Sequence, residues 1–176
     1  MADVSVRPAR ATDAPALAEV QLSTWRAAYG DLLPQAALDA LDPASVEAAW
    51  RDAVTAPPDA RARVLVALEA GRVVGLTTTA PASDDDVDAD RWGELGQLVV
   101  AADRRRAGHG SRLLAAAAEH LRDDGFRYAV TWVLEADDVA TRFLVAAGWD
   151  ADGASRVLDV AGSPVREIRL QTQVAD

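Results

Sequence analysis

Residues 103–111 read Asp-Arg-Arg-Arg-Ala-Gly-His-Gly-Ser, between the apolar run Leu98-Val99-Val100 and a segment carrying Leu113, Leu114, Ala117, Ala118 and Leu121 at helical spacing. A strand that turns directly into a helix leaves several backbone N–H groups unpaired, backed by the positive end of the helix dipole. Gly108 and Gly110 lack a Cβ, so an anion can approach the backbone, and Arg104, Arg105 and Arg106 add charge. The chemistry predicted is phosphate binding. A nucleotide-type P-loop is excluded, because it needs a lysine and the chain has none. A dinucleotide fingerprint fits poorly: its third glycine falls on Leu113, although Glu135 stands near the place of its acidic residue.

Other reactive side chains are few. With no cysteine there is no disulfide framework, thiolate metal site or cysteine nucleophile, and with no lysine there is no Schiff base. His109 and His120 are the only histidines, too few for a metal cage, and no metal is expected. Half of the 176 residues are hydrophobic and 26% are charged, which predicts one folded domain over 1–176. The net charge of −10 argues against nucleic acid. No apolar stretch is long enough for a membrane span and no targeting segment is evident, so the expectation is a cytoplasmic protein. The abundance of alanine, and arginine as the sole strong base, reads as coding bias.

The elements that must position the turn follow from punctuation and period. Val4 to Arg7 alternates as a first strand ending at Pro8. Thr12 or Asp13 caps a helix with Pro15 in its first turn and Leu17, Val20, Leu22, Trp25 and Ala28 on its apolar side, stopping near Gly30. A short helix runs from Pro34 to Leu41, and Asp42-Pro43 opens another that ends before Pro57-Pro58. Val64–Leu68 and Val73–Thr78 form a hairpin, Asp84–Asp90 an acidic solvated loop, and Glu94–Val100 a strand with a bulge at Gly96. Gly125 ends the helix after the turn, with Phe126 folding back onto its last turn. Ala129–Leu134 is a buried strand, Asp137 or Asp138 starts a helix ending at Gly148, and Val157–Val160 with Val165–Leu170 closes the chain as a hairpin.

Arg105-Arg106-Ala107-Gly108-His109-Gly110, followed by Leu113-Leu114, resembles the Arg/Gln-x-x-Gly-x-Gly/Ala signature of the GCN5-related N-acetyltransferase (GNAT) family. A second block, Trp132 to Trp149, is similar to that family's following strand and helix, and with Trp25-Arg26-Ala27-Ala28-Tyr29 the resemblance covers nearly the whole chain. It implies an α/β fold whose central mixed, mostly antiparallel sheet is flanked by helices and splayed at the cofactor site. It implies acetyl-CoA as acyl donor, with Leu98, Val99 and Val100 along the pantetheine arm and Arg105, Arg106, Ala107, Gly108, His109, Gly110 and Ser111 around the phosphates.

Two positions depart from the family. Its cofactor-touching Asn is Asp137, which can still cap a helix, and its Tyr, the acid for the departing thiolate, is Leu144. Glu94 stands at the spacing from Arg105 that resembles the catalytic glutamate of histone-acetylating members, which makes it the expected base, with Glu135 second. The His109 side chain is expected to face solvent, and His120 to lie on the surface. Trp25 and Tyr29, four apart on one helix face, border the acceptor pocket in this resemblance. The acidic loop could also attract a cationic amine. The expectation is direct transfer of an acetyl group to a primary amine of a small molecule or protein, with a homodimer as a further candidate assembly. The alternative is a non-catalytic acyl-CoA-binding or sensor protein.

Overall fold

A computed structural model describes residues 4–175. The elements are β1 (Val4–Pro8), α1 (Ala14–Tyr29), α2 (Gln35–Asp39), α3 (Pro43–Thr55), β2 (Arg63–Glu69), β3 (Arg72–Pro81), β4 (Trp92–Val100), α4 (His109–Asp123), β5 (Tyr128–Leu134), α5 (Asp138–Ala146), β6 (Asp150–Val160) and β7 (Ser163–Gln173). One-turn 3₁₀ segments precede α1 and follow β4.

The strands form one seven-stranded sheet in the order β1-β2-β3-β4-β5-β7-β6. Every neighbouring pair is antiparallel except β4 with β5, so the sheet is mixed. The apolar run Val64-Leu65-Val66-Ala67 is continuous because both faces of β2 are covered. Leu65 and Ala67 join the core under α4 with Leu95, Leu113, Ala117, Leu121 and Phe126. Val64 and Val66 join Leu17, Val20, Trp50, Leu76 and Val99 under α1 and α3. Each fully buried leucine on these faces contributes at most roughly 2–3 kcal/mol. Trp50 satisfies its buried Nε1–H on Gln21 Oε1 at 2.7 Å.

The local signals act as expected at several ends. Asp42 caps α3 by accepting from Ser45 N at 2.9 Å, and Asp137 caps α5 by accepting from Ala140 N at 2.9 Å. Gly125 takes a φ of +90°, and Phe126 N donates to Leu121 O at 3.0 Å while its ring is fully buried. Asp13 precedes α1, but its carboxylate goes instead to Arg7, at 2.7 and 3.0 Å, and to Arg10 N.

Two expectations are corrected. The last hairpin is much longer than Val157–Leu170: β6 starts at Asp150, directly after Trp149, and nearly every β6 residue is exposed. It is an edge strand without a covered face, so it lacks the alternating apolar pattern that reveals strands. The acidic loop is also not simply solvated. Asp84 is mostly buried and, with Asp86, it closes on Arg169 of β7, so opposite charge pins the loop to the sheet.

Candidate active site

The turn between β4 and α4 passes from the end of one strand directly into a helix. Gly108 is the residue before α4, with φ +81°, and Arg106 is also left-handed at φ +62°. Such alternation turns successive N–H groups to one side, the geometry of an anion nest. Among the described residues, no N–H from Arg105 to Ser111 donates to a protein acceptor. A Cβ at Gly110 would lie 3.5 Å from Phe143 Cζ and 3.8 Å from Val100 Cγ2, so the backbone there sits between the end of β4 and α5. The unpaired donors fit the phosphates of a coenzyme A molecule.

Beside the turn the sheet opens. β4 and β5 pair only at Trp92–Tyr128, Gly93–Ala129 and Glu94–Val130. Beyond that, Leu95–Val100 pairs with β3 alone and Thr131–Leu134 with β7 alone, leaving two backbone edges free to face a ligand. The cause lies in β4. Its register against β3 shifts at Thr78, opposite Gly96 and Gln97, and Gln97 N donates to Thr78 Oγ1 at 3.1 Å. A Cβ at Gly96 would come within 2.2 Å of that oxygen, so glycine admits the bulge that turns β4 away from β5. The residues expected along the pantetheine arm, Leu98, Val99 and Val100, lie on this freed stretch.

Glu94 stands at the last β4–β5 pair, where the opening begins, and is half-buried. Burial first, and then the nearby Asp84, raise its carboxyl above the ordinary glutamate range, while Arg156 and hydrogen bonds from Ser83 oppose the rise. Trp132 projects on the neighbouring strand. Its Nε1 donates to Asp84 Oδ1 at 3.1 Å, and the Arg156 guanidinium stacks 4.2 Å from its ring centroid. Behind them Arg169, 7% exposed, holds Asp152 at 2.7 Å, Asp86 at 2.6 Å and Asp84 at 3.6 Å. Sequence reasoning missed Ser83, Trp132, Arg156 and Arg169. Arg169 and Asp86 are 83 residues apart, and no local pattern joins them.

The other expected residues divide. Tyr29, at the end of α1, is near enough to Asp137 and Arg105 for both charges to act on its phenol, one from the start of α5 and one from the turn. Burial and the Asp137 carboxylate push the Tyr29 phenol up to about 12. Trp25 is half-buried, its ring centroid 6.1 Å from that of Tyr29. Leu144 is 4% exposed within the core, so no side-chain acid occupies the place of the family's tyrosine. Glu135 is exposed and pairs with Arg166 at 3.4 Å. His109 overturns its expectation: the side chain is buried toward Glu69, because the first turn of α4 packs onto the ends of β2 and β3. His120 is half-exposed near the end of α4. Among the described residues no helix is long and apolar enough to cross a membrane, and no three potential ligands converge on a metal position.

A mixed sheet splayed beside a strand-to-helix turn with unpaired N–H groups is the architecture of the acetyl-transferring α/β domains. Residues 19–149 match the acetyltransferase (GNAT) family, and the chain belongs to it. It is 32% identical over 133 residues to YuaI of Bacillus subtilis (strain 168), an uncharacterized N-acetyltransferase, covering 75% of this chain and 72% of that protein. The fold is similar to yncA from Salmonella typhimurium with its cofactor acetyl-CoA, at TM-score 0.73, 20% identity and coverage of 99% and 95%. It is equally similar to the paia N-acetyltransferase from Thermoplasma acidophilum in complex with coenzyme A, at TM-score 0.73, 15% identity and coverage of 97% and 99%.

Proposed function

We propose that the chain, acting as one catalytic domain, transfers an acetyl group from acetyl-CoA directly to a primary amine, with Glu94 as the base. The observation that carries the reading is the position of Glu94. A half-buried carboxyl with a raised proton affinity stands where the two strands part, beside the free edge of β4. An ammonium has no lone pair and must lose a proton before it attacks a thioester. Glu94 takes that proton, directly or through water. The amine nitrogen then bonds to the acetyl carbon, and backbone N–H groups of Gly96–Val99 stabilise the developing oxyanion. Gln97 is not one of these donors, since its N–H is committed to Thr78. The C–S bond breaks as the intermediate collapses, and the thiolate takes, through water, the second proton that the acylated nitrogen must shed to become a neutral amide, because Leu144 offers none.

The turn from Arg105 to Ser111 holds the phosphates, Asp137 stands on the cofactor side, and Trp25 and Tyr29 border the acceptor side. The acceptor is an amine of a small molecule or a protein. The test is release of free coenzyme A thiol from acetyl-CoA with an alkylamine, a diamine, an amino acid and a short peptide. Turnover with any amine, lost in Glu94→Gln, supports the enzyme reading. Tight acetyl-CoA binding with no thiol release from any amine would support the non-catalytic sensor instead.

A further inference from the structure

One buried polar group that the transfer chemistry leaves unused stands at the root of the phosphate turn. His109 is the first residue of α4, its side chain is 1% exposed, and its Nε2 has no hydrogen-bond partner. The nearest carboxylate oxygen is Oε2 of Glu69, the last residue of β2, at 3.8 Å. Arg104, on the other flank of the turn, brings its Nε to 3.0 Å from the same oxygen, an ion pair by distance though without the alignment of a hydrogen bond. Residues 104 and 109, which bracket the span 105–108, therefore close on one carboxylate.

The span has little else to hold it. Arg112 Nη1 donates to Ala107 O at 2.9 Å, and Ala101 N to Val74 O at 2.9 Å secures the chain just before it. Arg106 and Gly108 are left-handed, and the N–H groups that must converge on the phosphates make no bonds within the protein. With Arg112 N to Gly108 O at 3.1 Å as its one further bond, a segment so thinly held opens easily, and a site assembled only on binding loses affinity to ordering. A carboxylate close to a phosphate site is by charge alone unfavourable for an anion. Its presence is explained by what it holds.

We propose that Glu69 is a positioning residue that ties both flanks of the turn, through Arg104 and His109, and so preorganises the backbone donors for the phosphates. The proposal rests on residues 105–111 being the cofactor's phosphate site. Two variants separate holding from charge. Glu69→Gln and Glu69→Ala both remove the negative charge, but Gln keeps an oxygen that Arg104 and His109 can reach, and Ala does not.

Coenzyme A is the calorimetric probe, so no acceptor is needed. Glu69→Gln should bind within about threefold of wild type. Glu69→Ala should bind roughly threefold to thirtyfold more weakly than Gln, the range for residues that act through others. Hydrogen exchange in Glu69→Ala should quicken at Ala101, Arg104 and Arg112, whose N–H groups make the backbone bonds at the two flanks of the turn, and not at Leu114–Leu121. Equal affinities of the two variants, or tighter binding by Ala, would overturn the proposal and leave Glu69 as a field effect only. Should Glu69→Ala not fold, Glu69→Ser replaces it with the same expectations. A wild type that does not bind coenzyme A would instead remove the phosphate-site reading, and the exchange comparison would still decide whether Glu69 holds the turn.

Discussion

Replacing Glu94 by Gln preserves the side chain's size and removes its capacity to accept a proton. A placed general base contributes about 10² to 10⁴ in rate, or roughly 2.7 to 5.5 kcal/mol of barrier. Turnover should fall by that factor at saturating acetyl-CoA, with cofactor affinity nearly unchanged, because the proposed phosphate site is the turn beyond the far end of β4. The raised proton affinity of Glu94 fixes two signs. As a base it must be ionised, so wild-type kcat/KM rises with pH along a limb above the ordinary carboxyl value of about 4.3. For stability, a folded-state pKa raised above the unfolded one favours the protonated form. That contribution is fully present below the unfolded value and is lost as pH rises through the folded one. At pH 7 the ionised Glu94 is therefore a net cost. Glu94→Gln, which mimics the protonated state, should match or exceed the wild-type Tm at pH 7, and the gap should close near pH 4. Thiol release across pH, with thermal unfolding of both proteins, reads all of this. Turnover within threefold of wild type would refute the base, and a Tm that falls together with activity would refute the argument from burial.

Gly110→Asp should abolish acetyl-CoA binding in calorimetry while the fold survives, since a Cβ meets only ordinary contacts with Phe143 and Val100 and the proposed phosphate turn gains a negative charge; retained affinity would move the proposed site. Gly96→Val should lower stability by about 1–3 kcal/mol in denaturant unfolding, because its Cβ overlaps Thr78 Oγ1, and Thr78→Ala should recover part of the loss. Arg169→Met should cost about 3 kcal/mol, far more than Asp86→Asn, since it leaves the mostly buried Asp84 and Asp152 without their cation; equal Tm shifts would show that the cluster is not coupled.

The sequence by itself determined what depends on neighbours in the chain. Gly108, Gly110 and the following leucines specified a tight turn into a helix start, Asp42 and Asp137 specified caps, and Gly96 a bulge, because each works through the backbone within a few residues. The run Val64–Leu68 likewise announced the first strand of a hairpin, and that both of its faces are covered emerged only from the packing. Only the tertiary structure decided what depends on distant pairing. The length of β6 is dictated by β7 and not by burial, so its exposed residues carry no period. The acidic run at 84–86 reads as solvated until Arg169 arrives from the far end of the chain. His109 reads as a solvent-facing turn residue, yet its ring is buried toward Glu69, since which way a helix's first side chain points is set by the strands beneath it. The surroundings of Glu94 follow the same rule: Ser83, Asp84, Trp132 and Arg156 meet because a bulge parts two strands and a loop is pinned by charge across the sheet. Local backbone preferences are written in adjacent residues, whereas desolvation and ion pairing belong to whichever side chains the sheet order brings together.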